Sequence, residues 1–199
     1  MVATKHEGDG TVEPGRRRPA PGTLRLLQQF INTYNIEREH IGLRTEEFAS
    51  PADLRRWLVT QALLPRDARI RRSDVARAQE VREALRRLLQ AHNGWPMDSA
   101  AVEVLKRLAR EARLVVRLRH DGQMRLESDA PGLVGALGRL LAAAFMAQVE
   151  GSWRRLKACR RCHWAFYDHS KNRSGRWCVM SICGNRMKAR AYRSRRRGR

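Results

Sequence analysis

Four cysteines, Cys159, Cys162, Cys178 and Cys183, are the only thiols in the chain, and their spacing is Cys-x2-Cys-x15-Cys-x4-Cys. Two tight pairs separated by a short polar loop suit a closed tetrahedral zinc site, because each pair can bite one ion without strain. Four thiolates leave no position for water or substrate, so the expected metal is one structural Zn²⁺ per chain and not a reaction centre. His163 and His169 lie near enough in sequence to alter the ligand set, but the cysteine set is complete without them. Disulfides are the competing use of such pairs. The run Arg16-Arg17-Arg18 is followed by Pro19-Ala20-Pro21-Gly22 instead of an apolar stretch, which argues against an export signal and therefore for metal.

The cysteines stand in the most cationic stretch of a chain of 199 residues with formal charge +21. From residue 154 to the end there are 16 Lys and Arg against one acid, Asp168, a net +15, and the remainder of the chain carries only +6. Even after four thiolates and one Zn²⁺ are counted, this segment stays strongly positive. Arginine supplies nearly all of the charge, and its planar fork suits phosphate and guanine edges. Arg173, Arg176, Arg186, Lys188, Arg190, Arg193, Arg195, Arg196 and Arg197 are the candidate nucleic-acid contacts, with duplex DNA as the expected partner. A merely solubilising tail would not need to coincide with a metal-built scaffold.

These residues must be positioned by something, and the pattern of the rest is mainly helical. Helices are expected from Thr23 as N-cap with Leu24, Leu27, Phe30, Ile31 and Tyr34 on one face, and from the start signal Ser50-Pro51-Ala52-Asp53 to just before Pro65. Two more are expected over about 73–93 and 98–112. Leu114–Leu118 and Gln123–Glu127 flank His120-Asp121-Gly122, which marks a β-hairpin. A fifth helix starts at Pro131 and is expected to reach as far as Leu156; Gly132, Gly135 and Gly138 lie nearly on one of its faces, open to a close backbone approach or simply tolerated. Trp164, Phe166 and Tyr167 form a strand-like stretch between the cysteine pairs, and a basic helix follows Gly184-Asn185.

The fold class is thus mainly α with a small β-hairpin (α+β). Residues 1–22 read as a disordered leader, 23–150 as a helical regulatory domain, and 154–199 as a small Cys₄ zinc finger with a basic C-terminal helix. No uninterrupted run of eighteen apolar residues is present, so a spanning helix is not expected; 133–149 comes nearest. The expected location is cytoplasmic and nucleoid-associated. There is no P-loop, dinucleotide fingerprint or nucleophile–base pair, so an enzyme is not expected. Asn32 and Trp57 are the candidates for a ligand pocket in the helical domain, where a small-molecule effector would bind; a satisfied internal hydrogen bond and plain core packing are their ordinary uses. A homodimer is the other partner to consider. An RNA-binding or ribosome-associated module, with Trp164, Tyr167, Trp177 and Tyr192 stacking on unpaired bases, is the alternative to DNA, and a small-molecule-modifying enzyme a third.

Cys159-x2-Cys162, Phe166-Tyr167-Asp168, Ser170-Lys171-Asn172-Arg173-Ser174, Trp177-Cys178 and Cys183-Gly184-Asn185-Arg186 together resemble the bacterial CGNR zinc-finger family. Phe30-Ile31-Asn32-Thr33, Ser50-Pro51-Ala52-Asp53-Leu54 and Trp57-Leu58 resemble the ABATE domain that precedes that finger, so the resemblance spans about 23–195. It implies a stress-induced transcription regulator, four cysteine ligands to zinc, and an Asn185 that shapes the turn beside Cys183. Gly175 and Val179 stand where an arginine and a serine are expected, and Gln29 where an aspartate is usual. The first of these departures implies that one phosphate fewer is gripped.

Overall fold

The structure is a computed structural model and describes residues 17–35 and 46–197. Most of the expected leader, residues 1–16, lies outside the described residues. Within its described part, Ala20 is buried in the core and donates its N–H to Gln28 Oε1 at 2.7 Å.

Helix α1 (Leu24–Asn32) buries Leu24, Leu27, Phe30 and Ile31, the face expected from spacing. Thr23 does not cap it; its backbone is already helical, and the first turn is closed by Arg25 N–H on the carbonyl of Gly22. Helix α2 (Pro51–Thr60) begins as its start signal dictates, with Ser50 Oγ accepting from Asp53 N–H at 3.2 Å and proline in the first turn. Helix α3 (Arg72–Ala91) starts one residue before the expected serine, because Asp74 reaches back to the N–H of Arg71 at 2.7 Å. Asp98 caps α4 (Ser99–Glu111) through the N–H of Ala101 at 3.0 Å.

The chain then changes period into strands β1 (Leu114–Leu118) and β2 (Met124–Ser128), antiparallel, with Leu114 opposite Ser128 and Leu118 opposite Met124. Helix α5 (Gly132–Val149) is the central helix, burying Leu133, Leu137, Leu140, Ala144 and Ala147. By length and composition it is apolar enough to cross a membrane, although Arg139 interrupts it; 56 % of it is buried inside the fold. The expectation that it runs on to Leu156 is corrected. It stops at Val149, where Gly151 turns left-handed (φ +73°) and Ser152 returns both N–H and Oγ to the carbonyl of Ala147. A 3₁₀ turn (Trp153–Arg155) leads instead into strand β3 (Leu156–Ala158), which pairs antiparallel with β4 (Ala165–Tyr167). Of the three glycines on α5, two are close approaches: a Cβ at Gly135 would collide with the backbone carbonyl of Ala130, and one at Gly138 would stand 2.7 Å from both Ala112 Cβ and Ser128 Oγ.

The helical part and the cysteine-rich part share one core. Trp153, Leu156, Ala158, Ala165 and Tyr167 belong to the same buried cluster as Phe30, Leu89 and Leu137. Only the cysteines and Phe166, with Trp164, Trp177 and Val179 against them, form a separate small cluster. The hairpin β3–β4 is therefore a joint: one side completes the helical core and the other carries the metal site.

Candidate metal centre and cationic face

Cys159 and Cys162 flank the turn between β3 and β4. The N–H of Cys159 bonds to the carbonyl of Trp164 at 2.9 Å, and His163 closes the turn in a left-handed conformation (φ +58°) with its N–H on the carbonyl of Cys159 at 3.0 Å. Cys178 and Cys183 come from the far side of the loop. A π-helical turn (Met180–Gly184) brings Cys183 back to Cys178, its N–H bonding the carbonyl of Val179 at 2.9 Å.

All four thiols are buried, and their Sγ atoms lie within 4.8 Å of one another. Individual separations are 3.4 Å for Cys162–Cys178, 3.6 Å for Cys178–Cys183 and 3.7 Å for Cys162–Cys183. A disulfide requires about 2.0 Å, so these are not disulfides. A tetrahedron with Zn–S of about 2.3 Å has S···S edges of about 3.8 Å, close to what the cysteines present. The electrostatics agree. Hydrogen bonds from Cys162 and Cys178 draw the Cys159 thiol far down, while the bond with Cys159 pushes the Cys162 thiol up and the bonds with Cys159 and Cys162 push the Cys178 thiol up. Four buried thiols this close cannot all lose their protons without a cation among them. The donor set fits zinc.

His163 and His169 are not ligands. His163 faces Gln90 and the ring of Trp95, and His169 faces the carbonyls of Arg18 and Pro19 at 3.2 Å.

Sequence reasoning missed three groups that hold this centre in place. Lys157 and Asp168 form a buried ion pair at 2.8 Å; Lys157 Nζ also donates to the carbonyls of Arg173 and Gly175. Asp168 further accepts from the N–H and Oγ of Ser170 and from Gly175 N–H at 2.7 Å. Burial alone would raise its pKa, but Lys157, Ser170 and Gly175 outweigh it and hold the carboxyl at about 2. The pair therefore fixes the loop 168–176. Its signal was legible: a lone acid among 16 bases had to be partnered. Arg86, almost fully buried on α3, donates to the carbonyls of His163 (2.9 Å), Ile31 and Tyr34 (3.0 Å), linking the cysteine turn to α1. Burial draws its pKa below the ordinary guanidinium value, with Glu83 opposing. Arg17 lies over the ring of Phe166 at 4.5 Å and donates to the carbonyls of Trp177 (2.7 Å) and Cys178 (3.0 Å). Nothing in spacing could have placed it there.

Gly175 also has its explanation. A Cβ at that position would stand 2.8–2.9 Å from the Asp168 carboxylate, so a side chain is excluded by the buried pair beneath the loop.

The cationic residues fall into two groups. Arg173 and Arg176 are on the loop, Arg173 exposed and with left-handed backbone (φ +52°), Arg176 also exposed. Arg186, Lys188, Arg190, Arg193, Arg195 and Arg196 are exposed on α6 (Asn185–Arg197), which carries no acid and starts from the π-helical turn that holds Cys183. Arg197 is in the same helix, its side chain outside the described residues.

The pocket candidates are occupied otherwise. Asn32 is buried with its amide on the backbone of Ala165, and Trp57 packs at 5.5–5.6 Å against Phe30 and Phe48. Trp95 is 45 % exposed and lies beside the ring of His163.

Among known protein families, the chain matches the ABATE model, described as "Putative stress-induced transcription regulator", over residues 24–151, and the CGNR zinc finger model over residues 155–196. Neither is an enzyme family. No curated protein matches the chain. The buried cysteines and the matched finger assign the centre: Cys159, Cys162, Cys178 and Cys183 hold one structural Zn²⁺.

Proposed function

We propose that this chain, which belongs to the ABATE family and carries a CGNR zinc finger, is a DNA-binding regulator in which zinc sets the position of a basic helix. The observation that carries the reading is α6: a helix with seven Lys and Arg and no acid, starting where the last zinc ligand is pinned, with the six of these cations from Arg186 to Arg196 exposed to solvent. Like charges three and four residues apart destabilise an isolated helix, and phosphate against this face would relieve that repulsion. Arg173 and Arg176 on the rigid loop extend the same cationic character. The helical domain would supply the sensing or the pairing of copies, and a stress signal or small effector would act there.

The experiment is a salt series of binding to duplex DNA, with full chain, a chain lacking 184–199, and Arg186→Ala/Lys188→Ala/Arg190→Ala. Truncation should abolish binding, and the triple variant should lower the slope of log K against log salt by about one for each phosphate left without its cation. A truncated chain that binds as tightly as the whole would end the proposal. RNA is the competing partner because Tyr192 is exposed beside Arg196 at 5.8 Å, ready to stack. Trp177 and Tyr167, by contrast, pack in the interior. Tighter binding to structured or single-stranded RNA than to duplex would shift the reading to that partner.

A further inference from the structure

A helix that is apolar on every side belongs inside a core on every side. Helix α5 does not meet that condition. Phe145 is 51 % exposed and Val149 66 %, and they border a stripe of Arg139 and Glu150, exposed, with Ala143 and Met146, half-buried, between them. The hairpin repeats the anomaly. Its register places Leu114, Val116 and Leu118 on one face with Met124, Leu126 and Ser128. The root of that face is half-buried, but the tip is not: Val116, Leu118 and Met124 are 66, 74 and 69 % exposed. A groove of about 840 Å³ is lined by β2 and the α5 stripe, together with Leu26 and Leu63.

The charges at the groove identify its occupant. In a chain of net charge +21, this groove is balanced, with Arg125 and Arg139 against Glu127 and Glu150. A polyanion or an acidic partner has no reason to choose it. A second copy does. Arg139 and Glu150 lie on one stripe, about 16 Å apart along the helix axis. If two α5 helices meet antiparallel about the midpoint between them, Arg139 faces the partner's Glu150, and the two-fold axis repeats the pair. The same rotation sets Ala143 opposite the partner's Met146, small against large. The Arg139 guanidinium is held by the carbonyls of Ala62 and Leu63 and still has N–H groups to give.

We infer that the outer face of α5, with the overhanging tip of the β1–β2 hairpin, is a homodimer interface of antiparallel, two-fold geometry. This does not rest on nucleic-acid binding, and its test contains no nucleic acid.

The test is sedimentation equilibrium of the zinc-loaded full chain, with far-UV circular dichroism to verify folding. The wild type should be dimeric at about 100 µM. Arg139→Glu and Glu150→Arg should each weaken the dimer by about tenfold or more, which is about 1.4 kcal/mol. Arg139→Glu/Glu150→Arg together should restore it to within about threefold, since the reversed pair is again opposite in sign. Met146→Glu should give a folded monomer. Rescue by double reversal separates an interface from the structural bonds of Arg139 to its own chain, which reversal at residue 150 cannot repair. A wild type that stays monomeric at about 100 µM overturns the inference, as does a dimer indifferent to Met146→Glu or a double variant no tighter than the singles.

Discussion

Asn32 treats Ala165 as a strand neighbour would: its Nδ2 donates to the carbonyl at 2.9 Å and its Oδ1 accepts the N–H at 2.8 Å. Both groups of one β4 residue are thus satisfied by a side chain at the end of α1. Gln28, one turn earlier, donates to the same carbonyl at 3.3 Å. The strand that borders the metal centre is held by a helix of the part that matches the ABATE family.

Replacing Asn32 with alanine leaves a buried N–H and weakens the satisfaction of the paired C=O. We expect a loss of about 2–4 kcal/mol, read as a fall in thermal midpoint of the zinc-loaded protein. Asn32→Asp keeps an acceptor but loses the donor, and should be destabilised too. An unchanged midpoint for the alanine variant would contradict this attachment.

Metal removal should be felt well beyond the cysteines. Because Leu156, Ala158 and Ala165 belong to the helical core, a chelator in excess should lower the midpoint of the whole chain, by more than about 10 °C if metal contributes several kcal/mol. Helical circular dichroism and the fluorescence of buried Trp153 should move together. Two well-separated transitions would show that the parts unfold independently.

Gly175→Arg should not improve nucleic-acid binding, although it restores the residue expected by family resemblance. The new Cβ meets the Asp168 carboxylate, which is held by Lys157, so we expect a loss of about 1–3 kcal/mol and weaker binding. Tighter binding by Gly175→Arg at equal stability would refute the packing argument.

His92 supplies a pH dependence. Burial pulls its pKa below the ordinary value; the Leu156 carbonyl at 2.9 Å opposes this, and the charges of Arg154 and Lys157 add to it. The unfolded chain therefore takes up a proton near pH 6.5 that the folded chain refuses. Its contribution to stability is complete above that pH and declines as pH falls toward the folded pKa. Denaturant unfolding of His92→Gln between pH 7 and 5.5 should show a flatter slope than the wild type. Parallel slopes would remove His92 as the cause.

Much of this was readable from local chemistry. Ser50-Pro51 and Asp98 announce their helices because a cap acts within one turn, and the cysteine frame announces its metal because ligand spacing is itself the constraint. What local chemistry does not announce has one origin. The end of α5, strand β3 and the roles of Arg17, Arg86 and Asn32 all depend on partners far away in sequence: 160 residues for Arg17 and Trp177, 77 for Arg86 and His163, 133 for Asn32 and Ala165. Spacing carries no record of such pairings. Asn32 and Trp57 suggest a pocket because a polar and an aromatic side chain near an apolar face look the same whether they line a cavity or close one.

The burial of Asp168 has an effect at a distance. With that carboxylate turned inside and neutralised by Lys157, the finger presents no negative side chain to its surroundings, and its outward field has a single sign. A polyanion of the kind proposed above would meet no exposed carboxylate side chain on this part of the surface. A single interior ion pair thus removes the one negative side chain from the outward face of a segment that carries 16 Lys and Arg.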